Sequence, residues 1–209
     1  FTITSCELFI NGESNQSTSS IFNKYENTFE LQNLDEGEYN WTVACTDSDS
    51  NTFAPEEFVF YVDLFAPTVT LHNPLQDELL NDSSAVVFNW TATDLLSPVL
   101  YCDLYVDGAI SSSDVLVNNG VPHQESVSGF SEDAHNWSVT CRDLADNSYS
   151  SSTWNFSVFI PPEITLISPA NNLWTNITNQ EFVYHVFDDT GVEYCSLYVN
   201  NVLNQTNTS

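Results

Sequence analysis

Two short motifs recur along the chain at a fixed separation, and that recurrence constrains the fold more than any other feature. YCDLYVDG at 101–108 returns as SCELFING at 5–12 and as YCSLYVNN at 194–201. HNWSVTCRD at 135–143 returns as YNWTVACTD at 39–47. Cys6 and Cys45 are 39 residues apart, and so are Cys102 and Cys141. Starts of the first motif lie 96 and then 93 residues apart, the length of one sandwich-type β domain. The expected organisation is a partial domain at 1–63, a complete one at 64–160 and a second partial one at 161–209. The first supplies later strands and the last supplies early ones.

Strand alternation gives the fold class. Cys6, Leu8 and Ile10 fall on one face of a strand, and Asn11-Gly12 signals a tight turn. Trp41, Val43 and Cys45 share a face, which sets the Trp beside Cys45; Phe58, Phe60 and Val62 line the last strand of that segment. Thr28–Leu31 reads as a further short strand. In the middle segment the inward sets are Phe88, Trp90, Ala92; Cys102, Leu104, Val106; Trp137, Val139, Cys141; and Trp154, Phe156, Val158. Phe182, Tyr184 and Val186 repeat the first of these. Seven or so short strands in about 95 residues, with Asn-Asp-Ser-Ser at 81–84 as one of the turns, fit an immunoglobulin-like or fibronectin-III-like sandwich. No helical period of useful length occurs, so the class is all-β.

Equal cysteine spacing in two repeats argues for one disulfide in each, Cys6–Cys45 and Cys102–Cys141, and hence for an oxidising, extracellular setting. Free buried cysteines are the competing reading. Cys195 has no counterpart 39 residues on and is expected to be unpaired in its own repeat. The net charge is −27, from 29 acidic residues against only Lys24 and Arg142. Such a surface repels nucleic acid and anionic lipid and favours cations. Hydrophobic residues make up 42% of the chain, enough for packed cores, which excludes disorder despite the charge. No apolar run is long enough to span a membrane.

Taken together, C-x-L-[YF]-[VI]-[ND]-[GN], [YH]-N-W-[ST]-V-x-C-x-D and the proline-led [AP]-P-x-[VI]-T-L-x-[NS]-P at 66–74 and 161–169 resemble the tandem Ig-like repeats of microbial cell-surface proteins. The similarity is strongest to the long Asn/Thr/Ser-rich arrays of archaea, and it covers the whole chain. The resemblance implies intradomain disulfides and a role as spacer, adhesin or filament module. One departure is Asn201, where the other repeats have Gly12 and Gly108, so a different third hairpin turn is expected.

Nine N-x-[ST] sequons occur, at Asn15, Asn40, Asn81, Asn89, Asn136, Asn155, Asn176, Asn204 and Asn207, against about five expected by chance for 23 Asn. Asn40, Asn89, Asn136 and Asn155 each precede an inward aromatic, which turns them outward and makes them candidate N-glycan carriers; polar surface chemistry is the alternative. Asp47, Asp49 and Asn51 occupy the same turn as Asp143, Asp146 and Asn147. Their oxygens suit Ca²⁺, while the rival reading is turn chemistry, in which Asp and Asn bond their own backbone. His72, His123, His135 and His185 show no metal-pair spacing, His135 is expected at the surface, and no nucleophile or phosphate-loop motif is present.

The expected function is therefore non-enzymatic: a secreted, stiff rod of Ig-like repeats within a cell-surface filament, sheath or adhesin stalk. Its expected partners are copies of itself, meeting through the incomplete ends, and covalent glycans; no cofactor is expected beyond a possible Ca²⁺. Alternatives are a binding module whose loops, such as 111–124 or 142–150, grip a glycan or receptor, and spacer domains of a larger secreted hydrolase.

Overall fold

The computed structural model describes residues 2–81, 85–188 and 190–208. Every regular element in it is a β-strand. Of the turn expected at 81–84, residues 82–84 lie outside the described part.

The N-terminal segment forms one sheet. β1 (Ile3–Ile10) and β2 (Glu13–Thr18) make a hairpin, β3 (Gly37–Asp47) pairs with β1, and β4 (Thr52–Phe53) and β5 (Phe58–Val62) both pair with β3. Thr28–Leu31, expected as a strand, is not one. A strand needs a backbone ladder to a neighbour, and no strand pairs with this segment; its Glu30 carbonyl accepts instead from the Gln16 side-chain amide at 3.0 Å. Phe29, Leu31 and Leu34 instead line a cavity of about 520 Å³ with Leu8, Ile10, Trp41 and Val43. Phe58, placed inward by alternation, is an exposed residue whose ring rests 5.8 Å from that of Trp41.

Residues 68–158 build two facing sheets. The strands are β6 (Thr68–Asn73), β7 (Glu78–Leu80), β8 (Val86–Thr93), β9 (Val99–Val106), β10 (Ala109–Asn118), β11 (His123–Val127), β12 (Ala134–Arg142), β13 (Ser148–Ser150) and β14 (Trp154–Val158). One sheet runs β11-β8-β6; the other runs β10-β9-β12-β14-β7, with β13 also on β12. All pairs are antiparallel except β14 with β7. Nine strands replace the seven expected. Short edge pieces such as β7 and β13 carry too few residues to show alternation. Most of the proposed 111–124 loop is strand, belonging to β10 and β11.

The core between the sheets follows the alternation closely. Phe88, Trp90 and Ala92 of β8 face Cys102 and Leu104 of β9, Trp137, Val139 and Cys141 of β12, and Phe156 of β14, all buried. Phe88 meets Trp137 edge-on at 5.2 Å and Phe156 at 5.8 Å, the tilted contacts that aromatic quadrupoles favour. His135, expected at the surface, is buried on the same face of β12. Its ring packs 4.9 Å from Phe130 and 5.4 Å from Phe156, with Nδ1 bonded to Asp107 Oδ2 and Nε2 to the Ser131 carbonyl. Those two bonds satisfy both nitrogens, which is what lets a polar ring sit in the core.

Two further hairpins follow: β15 (Glu163–Ser168) with β16 (Val183–Phe187), and β17 (Tyr194–Val199) with β18 (Val202–Thr208). The third hairpin turn does not differ from the others. Asn200 and Asn201 have φ of 53° and 63°, beside 51° and 77° for Asn11-Gly12 and 51° and 74° for Asp107-Gly108. Asn tolerates the left-handed region well enough to replace Gly in a two-residue turn of this kind.

Candidate functional site

The two disulfides form as the spacing implied. Cys6 is bonded to Cys45 and Cys102 to Cys141, with Cα atoms 4.1 and 4.0 Å apart, while Cys195 is free. Each bridge joins residues directly opposite one another on neighbouring strands of one sheet. It does not tie the two sheets together, as the bridge of antibody domains does.

A second repeated device explains the motif positions adjoining the turns. Asn11 N–H donates to the Asn40 carbonyl at 2.8 Å, and Asn40 N–H donates to Asn11 Oδ1 at 2.9 Å. Asp107 and Asn136 make the same reciprocal pair, both bonds 2.9 Å long. A side-chain acceptor that captures the backbone of the strand on the hairpin's other side fixes the hairpin against it, a role that Asn and Asp suit.

The Asp/Asn turns after β3 and β12 also match each other. Asp47 Oδ1 accepts from the N–H groups of Asp49 and Asn51, and Asp143 Oδ1 accepts from those of Ala145 and Asn147. The Asn51 and Asn147 side-chain amides each donate to the second carboxylate oxygen of the same Asp at 3.0 Å. These are the bonds of the turn-chemistry reading, and they hold the Asp47 carboxyl below the usual range, the Asn51 side-chain bond first. Asp146 turns to Arg142 at 3.5 Å, and Arg142 also meets Asp114 at 2.7 Å. Of the six turn residues named as calcium ligands, only Asp143 enters a larger acidic group.

That group lies where the N-terminal sheet meets the central sandwich. Asp63 follows β5, Asp94 follows β8 and Asp143 follows β12, and one carboxylate oxygen from each lies within 4.8 Å of the others. Asp143 is fully buried and Ser97 nearly so. Ser97 Oγ donates to Asp63 Oδ2 at 3.4 Å and accepts from Leu144 N–H at 3.1 Å. Asn147 Nδ2 bridges the Asp63 carbonyl and Asp143 Oδ2. Asp94 Oδ1 accepts from the N–H groups of Leu96 and Ser97. Burial first, then the charges of Asp94 and Asp143, raise the Asp63 carboxyl above its ordinary value. Residues 63, 94 and 143 are too far apart in sequence for spacing to reveal the cluster. The available signal was that each acid immediately follows a strand.

The sequon asparagines are placed unevenly. Asn15, Asn81, Asn155, Asn176, Asn204 and Asn207 are exposed; Asn40, Asn89 and Asn136 are half-buried. Asn136 lies directly across from Asn155 on β12 and β14. Among Asn40, Asn89, Asn136 and Asn155, Asn89 has its Oδ1 shut off from solvent without a partner, which makes it the poorest carrier of those four.

The strand pairing defines an all-β protein of immunoglobulin-like, fibronectin-III-like sandwich architecture. No protein-family model matches the chain, and no curated protein sequence matches it. Among solved structures, fibronectin(III)-like modules of Clostridium thermocellum CbhA match over 76% of this chain and 78% of theirs, at 20% identity and a TM-score of 0.39. The titin domains z1z2, solved in complex with telethonin, match over 77% and 83%, at 16% identity and a TM-score of 0.31.

Proposed function

We propose that the chain is a non-catalytic, extracellular structural protein, a stiff rod of Ig-like repeats that belongs to a cell-surface filament, sheath or adhesin stalk. The observation that carries this reading is the joint. The backbone at Asp63 is hydrogen-bonded by Asn147 of the central sandwich, and its side chain by Ser97. The first joint is therefore held by direct hydrogen bonds rather than by a free linker, and the rod reading takes the same to hold at successive joints. Two disulfides, which persist in oxidising compartments, and N-glycans at outward asparagines suit an external location. No helix among the described residues is long and apolar enough to cross a membrane.

The proposed partners are further repeats of the same kind, in the same or another chain. Phe88 and Leu71 are buried in the central sandwich, but Phe182 and Leu166 at matching positions are exposed, Leu166 by 82%. A second set of strands like β12 and β14 is the natural cover for that face. Small-angle X-ray scattering tests the rod directly. An elongated particle with a maximum dimension near 100 Å or more is expected, since each unit spans about 40 Å at about 3.3 Å per strand residue.

A second reading, an adhesin module, has one observation in its favour. Trp174 is 96% exposed, and its counterpart Leu79 stays 67% exposed even inside a two-sheet sandwich. A free indole face of this kind stacks on sugar rings. Quenching of its fluorescence by oligosaccharides separates the two readings.

A further inference from the structure

We propose that Asn40 and Asn136 are N-glycosylated, and that Phe9 and Tyr105 on the neighbouring strands are the platforms on which the first sugar ring of each glycan lies. Strand register places the parts. Tyr105 stands directly opposite Ser138, and Phe9 directly opposite Thr42. Ser138 and Thr42 are the hydroxyl residues of the sequons Asn136-Trp137-Ser138 and Asn40-Trp41-Thr42. Each Asn lies two residues earlier, so it faces the same side of the sheet and is a diagonal neighbour of the ring. Diagonal pairs stand about 7–8 Å apart, within reach of aromatic and long side chains, and a sugar on the Asn extends that reach.

The ring is what repeats. The core accounts for Cys102 and Leu104, both buried, but not for Tyr105, which is half-buried on the opposite face of β9. Phe9 holds the same place in the first repeat, also half-buried, so the shared property is a flat apolar surface and not the phenol hydroxyl. One side of an N-acetylhexosamine ring is lined by C–H groups and stacks on such a surface. The acceptor nitrogens are available as well. The bonds to Asn11 and Asp107 use the backbone N–H groups of Asn40 and Asn136, and neither side-chain amide has a partner among the described residues or is sealed from solvent. The other two strand sites lack the platform. Asn155 has β7 on its far side, with Glu78, Leu79 and Leu80, and Asn89 lies between Asn73 and Gln124. In the transfer, Nδ2 bonds to the anomeric carbon of an oligosaccharide carried on a lipid phosphate. The bond from that carbon to the phosphate oxygen breaks, the lipid phosphate leaves with the electron pair, and the amide loses one proton to a base of the transferase.

The inference rests on the reading of the chain as an external glycoprotein. In the experiment the 209-residue chain is secreted from a eukaryotic host whose transferase reads N-x-[ST]. Glycopeptide mass spectrometry maps the sites, and thermal midpoints are taken for the parent, Asn136→Gln, Tyr105→Ala and the double variant. Asn136 is expected to be occupied, and Asn136→Gln to lower the midpoint by about 2–4 °C, the size of one aromatic stacking contact in a chain of this length. Tyr105→Ala should cost correspondingly less in the Asn136→Gln background than in the parent, because the sugar it supports is gone. Tyr105→Phe should melt as the parent does. Tyr105→Leu, apolar but not flat, serves should Tyr105→Ala fail to fold. Strictly additive losses, or a bare Asn136 beside other occupied sequons, would overturn the inference and leave the glycoprotein reading standing. No glycan at any sequon would overturn both.

Discussion

Cys102 and Cys141 face each other directly across β9 and β12, with their Cα atoms 4.0 Å apart and both side chains buried between the sheets. The bridge reinforces two strands that already pair. Its stabilisation comes chiefly from closing a loop of 39 residues in the unfolded chain, about 4 kcal/mol on the chain-entropy account. Replacing both cysteines by alanine should therefore leave the β-sheet circular dichroism intact while lowering unfolding free energy by about 3–4 kcal/mol. A loss below about 1 kcal/mol in urea titration would show that the bridge is idle.

The repeated tryptophans should differ in worth. Trp137 is fully buried, meets Phe88 and Trp154, and donates its Nε1–H to the Pro74 carbonyl at 3.2 Å. Trp41 occupies the same motif position but is 38% exposed beside Phe58. Trp137→Ala should cost about 3–5 kcal/mol, and Trp41→Ala at most about half as much. Chemical denaturation of the two variants checks the order.

His135 should make the central sandwich sensitive to pH. Burial opposes its charge, but the bond to Asp107, the Ser131 carbonyl and the nearby Asp133 carboxylate outweigh it, and its pKa is raised. A histidine with a raised folded pKa contributes stability that is complete below its unfolded value, near 6.5, and is lost as pH rises through the folded value. Thermal midpoints should therefore decline from about pH 6 to about pH 8, and Asp107→Asn should flatten that slope. An unchanged slope in the variant would contradict the assignment.

Asn136 and Asn155 are cross-strand partners on the outer face, where opposed Cβ atoms stand about 4.5–5.5 Å apart. Two glycans rooted that close together on the folded sheet would crowd each other. Glycopeptide mass spectrometry of the native protein should find the combined occupancy of the two sites at or below one per chain. Full occupancy of both would refute the constraint.

Much of this architecture could be read from the residues. The cysteine pairs and the buried sets 88/90/92, 102/104 and 137/139/141 follow from spacing and period two, because a sheet buried on one face leaves few other registers. Thr28–Leu31 has a strand's sequence but no paired strand, only the Gln16 side chain on the Glu30 carbonyl, and pairing, which alone makes a strand, lies outside local sequence. His135, expected at the surface, shows the opposite failure: it shares the parity of Trp137, Val139 and Cys141, and its burial depends on bonds to Asp107 and Ser131 that no local pattern displays. The Asp63–Asp94–Asp143 group was out of reach, since three separate loops bring it together.

The central claim is that such repeats stack directly into a stiff external rod. Electron microscopy of the native protein tests it most directly. The account predicts straight filaments or stalks with an axial repeat of about 40 Å, set by strands of up to 11 residues such as Gly37–Asp47. Discrete globular particles, or beads on a freely bending string, would contradict it.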